Sequence, residues 1–224
     1  MKEGLKILQD LALVPKGRSC AIIIRHADRD GAVDTVVDNL EALNAQGRRR
    51  ATELGRYLRR FDSLQMYSSP IGRCEETCVR MGEGFGREYT LEKTELLGMK
   101  APSMLQPDLA YQLMRSMGFY GFLDAYVQGR IDQNVAMPCE EGTKMLLSFA
   151  IDRMRDTSNG VVVMVTHDMI LTPPLAYYFN YDYRTNGLVP FLEGIVLYED
   201  GDGYTASYGG RSVRVHDDGT VSSI

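Results

Sequence analysis

The chain has 224 residues, 44 % of them apolar and 25 % charged, with thirteen Tyr and seven Phe. That composition excludes a disordered or fibrous protein and suits a single globular domain. The formal charge of −5 argues against a surface built for nucleic acid or acidic lipid, while leaving room for a local positive pocket. No stretch approaches the roughly 20 apolar residues that span a bilayer, and the first twenty residues do not read as a signal peptide. Cys20, Cys74, Cys78 and Cys139 form neither a CxxC pair nor a dense secreted pattern, so reduced thiols in a cytoplasmic protein are expected.

Residues 3–13 have the spacing of a short amphipathic helix. Residues 20–24 form an apolar run without alternation, the pattern of a strand covered on both faces, and end in Arg25-His26-Ala27-Asp28-Arg29-Asp30. Ala51, Leu54, Leu58 and Phe61 recur at helical spacing after a cap at Asn44. Residues 64–69 read as a second strand. Ser69 followed by Pro70 has the order of a helix cap and first turn, and a third strand is expected near REYTLEK, residues 87–93. Between about 98 and 140 the chain turns rich in Met, Gly, Pro and aromatics, and is read as a small helical insertion or lid. A helix is expected over 140–155 and the clearest central strand over 160–166. The next helix is expected to begin only at Thr172-Pro173, because prolines belong in a first turn. After residue 193, short strands alternate with Asp-Gly and Gly-Gly turns.

This order predicts an α/β fold: a three-layer sandwich with a mostly parallel central sheet, forming one domain over 1–224. Ligands of such sheets sit at the carboxyl ends of strands, and His26 and His167 directly follow the two best apolar strands. If those ends converge, the cleft gathers Arg25, His26, Arg29, Arg73, His167 and Asp168. Guanidiniums donate in planar, bidentate fashion to phosphate oxygens. A histidine can attack phosphorus, and an adjacent aspartate can protonate a leaving alkoxide. Taken singly, each residue has a plainer reading. His26 could be a polar strand end and His167 a turn cap. Arg25 and Arg29 could pair with Asp28, Asp30 or Asp34 at the surface, and those aspartates could instead favour a cationic substrate. Tyr177 and Tyr178 read as packing, and His216 as a hairpin surface residue. Cys74 and Cys78 share a helix face, but without clustered histidines no metal site is expected.

Taken in order, these segments resemble the histidine phosphatase superfamily, which includes the cofactor-dependent phosphoglycerate mutases. Its Arg-His-Gly signature stands here as Arg25-His26-Ala27. LNAQGRRRATELGRYL, residues 43–58, is similar to its Leu-Thr-x-x-Gly helix, with Asn44 in the threonine place. YSSPIGRCEETC, residues 67–78, is similar to its Ser-Ser-x-x-x-x-Arg-x-x-x-Thr segment, and VVVMVTHD leads to the second histidine. The resemblance implies a phosphoglycerate mutase-like fold, a phosphohistidine on His26, and Arg25, Arg73 and His167 on the phosphate. It also implies an acid in one of two places. The mutase and small-phosphatase branch takes it from a glutamate after the second arginine segment, here Glu95 with Glu92 behind it. The acid phosphatase branch takes it from an aspartate after the second histidine, here Asp168, together with an extra arginine, here Arg29.

The expected function is therefore metal-independent hydrolysis of a small phosphomonoester, with Asp168 as donor and Glu95 as the alternative. No cofactor, nucleic acid or membrane partner is expected, and the chain is expected as a monomer or homodimer. The competing readings are mutase-like phosphoryl transfer and a non-catalytic protein that binds a phospholigand on the same scaffold.

Overall fold

The structure, a computed structural model, describes residues 5–30, 42–98, 104–201 and 203–223. Asp34 and residues 99–103 of the anticipated insertion lie outside the described residues. In chain order the first half contains α1 (Ile7–Leu11), β1 (Cys20–Arg25), α2 (Ala45–Tyr57), β2 (Ser63–Ser68), α3 (Gly72–Phe85) and β3 (Thr90–Lys93). A 3-10 turn (Glu95–Leu97) leads to α4 (Pro107–Met117), α5 (Phe119–Val127) and α6 (Cys139–Arg155). The chain closes with β4 (Gly160–Thr166), α7 (Asp168–Phe179), α8 (Tyr183–Asn186), β5 (Gly194–Asp200), β6 (Gly203–Tyr208), β7 (Arg211–Val215) and β8 (Val221–Ser222).

The strands form one sheet in the order β3-β2-β4-β1-β5-β6-β7-β8. The expectation of a mostly parallel sheet is corrected here. Among the described strands three pairs are parallel, β1–β4, β2–β3 and β2–β4, and four are antiparallel, β1–β5, β5–β6, β6–β7 and β7–β8. The turns after residue 200 are too short for a crossover, so each successive strand must reverse direction. The parallel part is confined to the half that bears β1 and β4.

Strands β1 and β4 are buried along their whole length, and their side chains alternate between two apolar layers. Ile22, Ile24, Val161, Val163 and Val165 pack with Leu54, Leu58, Met81 and Phe85 of the α2–α3 side. Ala21, Ile23, Val162 and Met164 pack with Leu146, Ile151, Leu171 and Leu175 of the α6–α7 side. This period of two explains the unbroken apolar runs. A third, smaller cluster around Phe122, Tyr126, Ile131 and Val135 gathers the α4–α5 segment. Among the described residues no helix is long and apolar enough to cross a membrane.

Two helix starts differ from expectation. Asn44 does cap α2, accepting from Gly47 N–H at 2.8 Å. Ser69, however, is not the cap of α3: that place falls to Ile71, and Ser69 Oγ accepts from Ile71 N–H at 3.3 Å. Helix α7 begins at Asp168, with Pro173 and Pro174 inside it. Its residues from Leu171 to Leu175 are all buried, so packing outweighs the backbone hydrogen bonds those prolines cannot donate.

Helices α2 and α3 cross at a very short distance. A Cβ on Gly84 would lie 2.1 Å from Thr52 O, a backbone atom that cannot swing aside. Gly84→Ala is therefore expected to lower unfolding free energy by about 1–3 kcal/mol, read as a lower urea midpoint with an unchanged slope.

Candidate active site

The parallel register pairs Arg25 with Thr166 and Ser68 with Val165, so β1, β2 and β4 end at one level. His26 N–H extends the ladder to Thr166 O at 2.9 Å, and Ser69 N–H donates to Val165 O at 3.0 Å. These bonds bring the residues after each strand together. The His26 and His167 ring centroids are 5.6 Å apart, at an interplanar angle of 64°.

Both imidazoles have assignable tautomers. His26 Nδ1 lies 2.8 Å from Ala27 O; a carbonyl only accepts, so Nδ1 bears the proton and Nε2 presents a lone pair. Arg73 Nε–H points at that lone pair from 3.1 Å. Arg73 Nη2 also donates toward His167 Nδ1 at 3.3 Å, which leaves His167 Nε2–H facing Ser69 Oγ at 2.9 Å. Burial first, and then the neighbouring positive charges, hold His26 well below the usual imidazole range despite its Ala27 bond. The same causes bring His167 down to about 3. Two neutral imidazoles and the Arg73 fork thus share one buried cluster.

Arg25 is fixed on several sides. Its Nη1 donates to Val189 O at 2.8 Å, its Nη2 pairs with Asp168 Oδ2 at 2.6 Å, and its Cζ lies 4.0 Å from the Phe191 ring centroid. Burial, opposed by Asp168 and reinforced by Arg29 and Arg73, pushes its pKa down. Arg29 forms a backbone bridge with Leu43, and its charge is felt by Arg25, Arg73 and His167 alike. Asp168 Oδ1 accepts from Met169 N–H at 2.8 Å.

Of the readings open to Asp28, pairing with Arg25 or Arg29 gives way to a different partner. Both Asp28 oxygens accept from Arg50 Nη1 at 2.8 Å, with Gln46 Nε2 at 3.3 Å from Oδ1. That places Asp28 on α2, where a Cβ on Gly47 would stand 2.2 Å from Asp28 O. Asp30 accepts from Asn44 Nδ2 at 2.9 Å. Ala27, the departure from the signature glycine, packs its methyl in the core cluster and is fully buried. Its N–H donates to Thr77 Oγ1 at 3.0 Å.

Glu95 stands at the rim and is exposed. Its turn is tied to the strand ends by Thr94 N–H to Ser68 O at 2.9 Å and Thr166 Oγ1 to Leu97 O at 2.7 Å. Three contributors are not among the site residues the sequence singles out: Ser69 as a partner of His167, Cys74 with Sγ 3.6 Å from His167 Nε2, and Phe191. Cys74 sits one position after Arg73, and that adjacency was the one available hint. His216 pairs with Ser222 Oγ on an exposed hairpin, away from this cluster.

Residues 21–97 match the histidine phosphatase superfamily (branch 1). Similar folds are those of Bacillus stearothermophilus YhfR (18 % identity, TM-score 0.58, covering 86 % of this chain and 96 % of the other) and of a phosphoglycerate mutase from Bacillus anthracis str. Sterne (17 %, 0.57, 86 % and 93 %). A third is the mycobacterial glucosyl-3-phosphoglycerate phosphatase Rv2419c (16 %, 0.54, 87 % and 99 %). At such identities the likeness is one of fold. No curated protein matches in sequence. Residues 21–97 thus carry a likeness to the histidine phosphatase superfamily, and over most of its length the chain shares a fold with these proteins.

The buried titratable groups set an expected pH response. Both histidines are neutral when folded but protonate near pH 6.5 when unfolded, so stability falls as pH drops below 6.5, toward about 3 for His167. Each contributes up to about 1.4 kcal/mol per pH unit in that window. Glu193 opposes them. Burial, against its bond from Lys6 N–H, pushes its carboxyl up to about 7. The folded state therefore holds a proton that the unfolded state releases between about pH 4.3 and 7. Glu193→Gln is expected to raise stability at pH 8 and to steepen the loss between pH 6.5 and 5, measured by thermal melts across pH.

Proposed function

We propose that this protein hydrolyses a small phosphomonoester through a phosphohistidine on His26. The observation that supports this most directly is His26 Nε2, an unprotonated nitrogen fixed by the Ala27 carbonyl and aimed at the Arg73 guanidinium. A phosphate entering there meets a nucleophile and a donor at once.

In the first step, Nε2 attacks phosphorus, the N–P bond forms and the ester P–O bond breaks. Arg25, Arg29 and Arg73 donate to the equatorial oxygens as charge redistributes, joined by His167 when its Nε2–H turns from Ser69 Oγ to the phosphate. The leaving oxygen takes a proton from a carboxylic acid. In the second step a water attacks the phosphohistidine, its proton passes to that carboxylate, and phosphate leaves. His26 regains its lone pair.

Asp168 is the first reading for the acid, because it adjoins His167 and contacts Arg25. A bound phosphate competes for Arg25, which loosens that pair. Glu95 is the second reading, favoured by an exposed carboxyl at the rim, whereas both Asp168 oxygens already accept from protein donors. Mutase-like transfer uses the same first step and differs in the acceptor of the second. The similar folds include both a phosphatase and a mutase by name, so product analysis separates the two.

His26→Ala is expected to lower turnover by at least about 10³-fold and to abolish acid-labile phosphoprotein, with the fold intact by circular dichroism. Retained turnover refutes the mechanism. A phosphorylated-metabolite panel scored for free phosphate and for isomerised product distinguishes hydrolysis, mutase transfer and binding alone. Asp168→Asn is expected to slow alkyl phosphates by about 10²-fold while sparing p-nitrophenyl phosphate, whose leaving group needs no acid. If Glu95→Gln shows that pattern instead, the donor is Glu95.

A further inference from the structure

Residues 189–193 contain no recognisable motif, yet they surround Arg25. Val189 O accepts from its Nη1, Leu192 N–H donates to Arg25 O at 3.1 Å, and Arg25 N–H donates to Glu193 O at 3.1 Å. The Phe191 ring lies against the guanidinium at 4.0 Å, and its centroid is 5.5 Å from that of His26. Arg50, which holds Asp28, also reaches Phe191 O with Nη2 at 3.4 Å. Phe191 is only half-buried, while the apolar layer beneath is filled by its fully buried neighbour Leu192.

The turn that presents this ring is strained. Leu192 has φ +61°, a conformation that costs a branched side chain about 1–3 kcal/mol and persists only where the surroundings enforce it. Here they do: the two bonds to Arg25 and the bond from Glu193 N–H to Pro190 O at 3.2 Å bracket the residue. The enforced outcome is a ring placed against both Arg25 and His26.

We propose that Phe191 is a positioning residue of the phosphate site, holding the Arg25 guanidinium plane and walling one side of the His26 imidazole. A guanidinium stacked on an aromatic face keeps its in-plane N–H groups directed outward for bidentate acceptors. Two of those groups are taken by Val189 O and Asp168. The buried Nε–H has no hydrogen-bond partner among the described residues, and the inference gives that donor to a phosphate oxygen. The inference rests on reading this cluster as a phosphate site.

The test replaces Phe191 by mono-, di- and trifluorinated phenylalanine, which preserve ring shape while weakening the negative π face stepwise. Inorganic phosphate binding is measured by calorimetry, alongside kcat and KM. The expected result is a Kd that rises steadily with fluorination, by about 3- to 10-fold in total, with the melting midpoint nearly constant. Phe191→Leu is expected to weaken binding at least as much, and Phe191→Tyr to stay within about twofold of the parent. A Kd that is flat across the fluorinated series, or a Leu variant that binds phosphate like the parent, overturns the proposal. Binding is read without turnover. A parent chain that binds phosphate but cleaves no ester therefore refutes the catalytic reading alone, and one that binds no phosphate refutes both.

Discussion

The arrangement depends on one backbone hydrogen bond, from His26 N–H to Thr166 O. It carries the β1–β4 ladder one residue past the last strand position and so fixes where both chains leave the sheet. The β1–β4 register brings Arg25-His26 and His167-Asp168 side by side, and this bond ties the two exits together. With it, two imidazoles and the guanidiniums between them share a buried space. The wholly buried β1 and β4 give that bond a rigid base, since their side chains are committed to the two apolar layers on alternate positions. A register slip of one residue would exchange those faces.

Placing several positive groups in one interior space is costly unless something fixes and offsets them. The solution is a division of labour among the carboxylates. Asp168 faces Arg25, whereas both Asp28 oxygens are held by Arg50, which joins the loop to α2 and leaves Asp28 only a minor charge on Arg25. The cleft keeps its positive character inside a chain whose formal charge is negative, which concentrates attraction for an anion at one point. The histidines respond by staying neutral. That is the protonation state in which an imidazole has a lone pair to offer.

Much of this was legible in the sequence because it is local. Each strand end is marked by an abrupt change from apolar to charged residues, and the Asn44 cap and the late Asp-Gly and Gly-Gly turns are written within a few positions. The balance of the sheet was not. Hairpins were recognised one by one, but β1 pairs with β5 across about 170 residues, and no local pattern states the direction of that contact. The start of α7 has no local signature, because a helix buried over several consecutive residues shows no periodicity and its two prolines point to a later first turn than packing imposes. Pairing with Arg25 or Arg29 is one of the readings that the sequence position of Asp28 leaves open. Its partner, Arg50, lies in the second turn of a helix that only tertiary packing brings near. Phe191 was invisible for the same reason: its neighbours Arg25 and His26 are adjacent only in space.

Cys74 gives the site a chemical temperament of its own. Its sulfur lies within van der Waals reach of the His167 ring, in a helix that also supplies Arg73, yet burial pushes the thiol up to about 12. Thiolates are the form of cysteine that reacts with peroxides and alkylating agents, and a fully buried neutral thiol offers neither the charge nor the access. The two imidazoles thus stand beside a sulfur that is buried and held as a thiol. A pocket assembled in this way places no reactive thiolate beside its histidines.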